Sequence, residues 1–109
     1  LITPAQDLSA VTSASLSFDS ATRFSGNALT VLISKNYSGS GNPASATWTT
    51  LTATLAPVNS NYVWTNSGLV DISSYTGSGS NTVYIAFKYT STNSASATWE
   101  VDNVKITAN

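Results

Sequence analysis

The stretch WEVDNVKI (residues 99–106) reads as a strand that changes phase halfway along. Side chains of an extended chain alternate between two faces, so Trp99 and Val101 point one way and Val104 and Ile106 the other. The break falls on Asp102 and Asn103, residue types that strand interiors usually avoid. A β-bulge resolves the conflict, because one extra residue returns the second apolar pair to the face of the first. Asp102 and Asn103 then occupy the kink, where short polar side chains serve stranded backbone groups. The stretch is thus expected to form a terminal strand, with Trp99 and Val101 in the core and Val104 and Ile106 packed beyond the bulge.

The same two-residue period runs upstream. In ASLSFDS, Ala14, Leu16 and Phe18 alternate with Ser15, Ser17 and Asp19. LTVLIS (29–34) is apolar on both faces, as a central strand is. TWTTLTATL (47–55) puts Leu51, Ala53 and Leu55 on one side. TVYIAFKYT (82–90) gives an inward row of Val83, Ile85, Phe87 and Tyr89, with Tyr84, Ala86 and Lys88 on its reverse. No segment shows a helical period with caps; the best place for a helical turn is VDISSYTG (70–77). Clusters of Gly, Ser, Asn and Pro, such as NYSGSGNPASA and TGSGSN, separate the strand candidates as turns do. Short strands so punctuated predict an all-β fold, an antiparallel β-sandwich of the jelly-roll type, made by residues 1–109 as one unit.

Composition narrows the function. Four basic and five acidic residues leave a net charge of -1, too little positive charge to neutralise a nucleic-acid backbone or to hold an anionic membrane surface. No apolar run approaches the length of a membrane-spanning helix. Cys, His and Met are all absent, which removes disulfides, thiolate chemistry and cysteine-ligated metals. The start at Leu1 suggests a processed chain or an excised piece of a longer protein.

One internal echo is present. ASATW occurs twice, ending at Trp48 and Trp99, and Thr30, Val31, Ile33 and Tyr37 match Thr82, Val83, Ile85 and Tyr89 upstream of the two copies. Either two hairpins share a packing constraint, or a duplication has left two equivalent loops at one end of the sandwich.

LITPAQDLS, ASLSFD, NALTVLISKNYSG, ATWTTLTATL, VDISSYTG and VYIAFKYTSTNSASATWEVDNVKI together carry a resemblance. The chain resembles the choice-of-anchor J, or cleaved-adhesin-like, modules of Bacteroidota surface and secreted proteins. Those modules are similar in fold to carbohydrate-binding modules and to MAM domains, which also end in an aromatic-x-x-Asp-Asn/Asp-Val/Ile strand. The resemblance implies a bacterial, extracellular or cell-surface module attached to other domains. It also implies a structural calcium ion near the last strand. Asp102 matches the acidic position of the motif, with Asp19 and Asp7 as partners if the fold brings them near. Members usually have further strands before the LITPA-like segment. A sandwich without them exposes an edge through which neighbouring domains or copies of the chain can pair.

Catalysis is not expected. A nucleophile triad lacks its usual base because His is absent. Glu100 and Asp102 share a strand face, roughly 6.5–7 Å apart, but glycosidase carboxylates must flank the scissile bond from opposing walls. Sugar binding fits better, since aromatic faces stack on pyranose C–H faces while amides and hydroxyls fix the ring hydroxyls. Tyr62 and Trp64, flanked by Asn59, Asn61 and Asn66, are the first platform candidates, followed by Tyr37, Tyr84 and Lys88. Trp48 fits the core or the rim equally well. The expectation is a non-catalytic module that targets an attached protein to polysaccharide. The alternative is a structural spacer or self-assembling surface module without a sugar site.

Overall fold

The computed structural model describes residues 1–109 and contains seven strands in two antiparallel sheets. In one sheet β1 (Ala14–Arg23) is central. β7 (Thr98–Ala108) pairs along one side of it, and the short β4 (Thr65–Asn66) and β5 (Val70–Asp71) pair on the other. In the second sheet β2 (Thr30–Ser34) lies between β3 (Thr49–Leu51) and β6 (Tyr84–Lys88). The N-terminal segment extends this sheet past β6 through bridges from Ile2 to Ala86 and from Gln6 to Val83. Both expected features are present: the fold is all-β, and it is a β-sandwich.

Alternation dictates the core. Ala14, Leu16 and Phe18 from β1 meet Val31, Ile33, Ile85 and Phe87 from the second sheet, with Leu8, Leu29, Val70, Ile72 and Val83 completing one apolar cluster. Phe18 and Phe87 join the two sheets edge to face, their centroids 5.0 Å apart. Leu51, Ala53, Leu55, Trp99, Val101 and Ile106 pack partly against this cluster, as the two-residue period requires.

Serine does work here that a longer strand would do elsewhere. Between β4 and β5 the ladder on β1 is interrupted, and Ser67 fills the gap. Its N–H donates to the Phe18 carbonyl at 2.8 Å, and its hydroxyl accepts from the Phe18 N–H at 2.9 Å. Ser20, wholly buried, accepts the Ala56 N–H where the chain crosses between sheets. Buried backbone groups need such partners, and buried serines supply them here.

The bulge lies where the sequence puts it. Ser17 pairs with Lys105 and Asp19 with Asp102, so β7 carries one residue more than β1 between these pairs. Asn103 takes φ +54°, a left-handed conformation that Asn tolerates better than most residues. Its N–H is met by Asp102 Oδ1 at 2.8 Å. Val101 opposes the buried Ser20 and Ile106 the buried Leu16; Trp99, Val101 and Ile106 pack against the core, whereas Val104, expected to pack with them, stays exposed beside the bulge.

Two further sequence expectations are corrected. TWTTLTATL forms a strand only at Thr49–Leu51; beyond it the chain leaves the sheet to cross to the first, although Ala53 and Leu55 still pack inward. The two ASATW copies are neither two hairpins nor equivalent loops at one end. The first returns as β3 beside β2, whereas the second crosses to the other sheet as β7. Because β2 and β6 are antiparallel, with Ser34 against Tyr84 and Thr30 against Lys88, the loops that follow them leave from opposite ends. The expected turn within 70–77 is a 3-10 turn at Ser73–Tyr75.

Candidate functional site

On β2 and β6 the residues that do not face the core face outward. Leu32 opposes Ala86, Ser34 opposes Tyr84 and Thr30 opposes Lys88. The long connection between β2 and β3 folds back over this surface. Its turn is set by Asn42, whose side chain accepts the Ala44 N–H at 3.0 Å, with Pro43 opening a 3-10 turn over Pro43–Ser45. Asn as cap and Pro in the first turn are the usual pairing. At the foot of the loop, Asn36 Oδ1 accepts the Thr47 N–H at 2.8 Å and closes it.

The loop brings three rings together. Tyr37 lies between Trp48, at 5.6 Å, and Tyr84, at 5.0 Å and nearly perpendicular. The Trp48 indole N–H donates to the Pro43 carbonyl at 2.8 Å, which fixes the ring. Gly39 crosses the Tyr84 hydroxyl so closely that a Cβ would collide with it, and its φ of +88° also favours glycine. Beside this cluster opens a groove of about 460 Å³, floored by Leu32 and Ala86 and bordered by Trp48, Pro43, Asn42 and Lys88. It is apolar for most of its length, with an amide and an ammonium at its margin. That is the composition of a small-ligand site.

Of the binding candidates, Tyr37, Tyr84 and Lys88 therefore lie on one sheet face, and Trp48 joins them. Tyr62 and Trp64 lie at the other sheet. The bridge from Arg23 to Asn61 and the pairing of Ser20 with Thr65 leave an extra residue between them. Tyr62 absorbs it at φ +56°, its N–H donating to the Thr22 carbonyl at 3.0 Å. Trp64 is half exposed, and the two rings do not stack on one another. The groove wall at Asn42 and Pro43 was not among the candidates; the Asn-Pro pair was its one readable signal.

The carboxylates divide similarly. Asp19 and Asp102 are partners across the bulge. Asp19 Oδ1 accepts from the Asn66 amide at 2.9 Å and Oδ2 from the Asn103 amide at 2.8 Å. These bonds, that from Asn103 first, hold the Asp19 carboxyl below its ordinary pKa. Asp7 lies instead on the N-terminal segment beside β6, where its Oδ1 accepts from the Ser9 hydroxyl and N–H. Those two bonds, the hydroxyl first, also lower its pKa. Glu100 and Asp102 stay on one strand, without an opposing wall.

Fold and groove together describe a β-sandwich with a mostly apolar surface groove, bordered by Trp48, on the outer face of one sheet. Over residues 6–109 the chain matches the family described as a domain of unknown function, DUF5017, and it belongs to that family. No curated protein matches it closely.

Proposed function

We propose that the domain is a non-catalytic carbohydrate-binding module that seats a polysaccharide segment in the groove on the outer face of β2 and β6. The observation that carries this reading is the Trp48 indole, fixed by its hydrogen bond to Pro43 at the rim of a groove with an apolar floor. A fixed ring adds contact area without losing rotamer freedom on binding. Lys88 and Asn42 supply donors at the margin. The resemblance to choice-of-anchor J modules supports an extracellular or cell-surface setting in which the module holds an attached protein near polysaccharide.

The test is affinity electrophoresis across a panel of plant, algal and bacterial polysaccharides. Trp48→Ala is expected to abolish retention on whichever polysaccharide retards the parent protein, while Trp64→Ala leaves retention unchanged. Thermal unfolding confirms that each variant folds. Retention lost with Trp64→Ala and kept with Trp48→Ala would move the site to the other sheet. Failure of every polysaccharide to retard the protein would remove the reading altogether.

A further inference from the structure

The unpaired edge of β7 is complementary to itself. On β1, Ala14, Phe18 and Thr22 direct their backbone groups away from β7. Ala14 O accepts from Ile72 N, Phe18 bonds Ser67 through both N and O, and Thr22 O accepts from Tyr62 N. Backbone direction alternates along an antiparallel strand, so β1 serves β7 through its odd-numbered residues. Their partners are Thr107, Lys105, Asp102, Glu100 and Thr98. Of the remaining β7 residues, Trp99, Val101, Val104 and Ile106 turn their N–H and C=O groups to the open edge.

A second copy laid antiparallel against this edge, with its twofold axis between Asp102 and Asn103, sets Val101 against Val104 and Trp99 against Ile106. All four carry free edge groups, which gives about eight hydrogen bonds across the axis. Glu100 meets Lys105, and Thr98 meets Thr107. In an ordinary strand such a register is forbidden, because it pairs odd with even residues and therefore opposite faces. The bulge removes the prohibition. Beyond it the faces exchange parity, so Val101 and Val104 both point inward and Glu100 and Lys105 both point outward. The one large apolar side chain that β7 leaves exposed, Val104 at 38 %, is covered by this pairing. Opposite charges placed directly across a strand pair stabilise it, and like charges destabilise it.

We infer that two copies of this chain associate through β7 in an isologous antiparallel pairing that places Glu100 of each opposite Lys105 of the other. This goes beyond the sugar reading and does not depend on it. A bulge is commonly a device that blunts an edge; here it restores the match between an edge and its own copy. An isologous interface needs one self-complementary surface, and the sequence from Thr98 to Thr107 is such a surface.

Sedimentation velocity at low ionic strength is expected to show a species of twice the monomer mass at tens of micromolar. Glu100→Lys alone and Lys105→Glu alone each return the protein to monomer, since each places like charges opposite one another. The double exchange Glu100→Lys/Lys105→Glu restores the dimer. A second measurement fixes the register and uses the absence of native cysteine. Glu100→Cys mixed with Lys105→Cys should form a disulfide-linked dimer under mild oxidation. Neither alone should do so, because the two copies of position 100 lie about 17 Å apart in this register. A parent protein that stays monomeric overturns the inference, as does a dimer indifferent to either single reversal, a double exchange that fails to restore it, or crosslinking by one cysteine variant alone.

Discussion

Replacing Asn103 tests the bulge directly. Its φ of +54° costs an ordinary L-residue about 1–2 kcal/mol and costs glycine almost nothing. Ala and Gly both remove the side chain that bonds Asp19, so that loss cancels when the two variants are compared with one another. Glycine forfeits about 0.4–1 kcal/mol through its freer unfolded chain. The left-handed term is the larger, so Asn103→Gly should be more stable than Asn103→Ala by about 0.8 kcal/mol. For a domain of this size that corresponds to a gap of about 3–5 °C in thermal midpoint. Asn103→Val should fall below both, because a β-branched side chain tolerates positive φ least. Differential scanning calorimetry on the three variants gives the order. If Ala equals or exceeds Gly, Asn103 does not hold the left-handed bulge, and the alignment of both apolar pairs on one face loses its basis.

Acid should weaken the fold. Asp7, Asp19 and Asp71 all have carboxyls held below the ordinary value: Asp19 by the amides of Asn103 and Asn66, and Asp7 and Asp71 by Ser9 and Ser73, through the side chain first and then the backbone. A carboxyl with a depressed folded pKa gives stability that is complete above its unfolded value, about 3.9, and is lost as pH falls through the folded one. Denaturant midpoints should therefore decline below that value, and Asp19→Asn should decline less; an unchanged profile would show that its amide bonds do not persist in solution. Ser80→Ala should leave stability equal or raise it by about 1 kcal/mol, because the buried Ser80 hydroxyl has no hydrogen-bond partner. A clear loss in urea unfolding would reveal a partner. Calcium should not raise the thermal midpoint relative to EDTA, since both Asp19 oxygens already accept amide hydrogens and Asp7 lies with the other sheet. A rise of several degrees would assign the bulge carboxylates to the cation.

Much of the architecture was legible in one dimension. Alternation at Ala14–Phe18 and Val83–Phe87 identified inward faces because a strand samples its two environments every second residue. The bulge was legible for the same reason: Trp99, Val101, Val104 and Ile106 cannot share a face without an extra residue, and Asp-Asn is the pair that supplies one. Candidate site residues were legible only as types. Tyr37 and Tyr84 are 47 positions apart in sequence, and only the pairing of β2 with β6 and the folded-back 35–48 loop bring their rings into contact.

By itself, then, the sequence determined the strand period, the inward faces, the phase break at Asp102 and Asn103, and the weak net charge. Tertiary structure alone decided which strands are neighbours, that the two ASATW copies part company, that Trp48 belongs with Tyr37 and Tyr84, and that β7 keeps an open edge. The division has a physical cause. Alternating burial is a local consequence of backbone geometry and is written residue by residue. Partner choice depends on contacts between distant segments, where loop closure, sheet packing and the parity of a single bulge decide together.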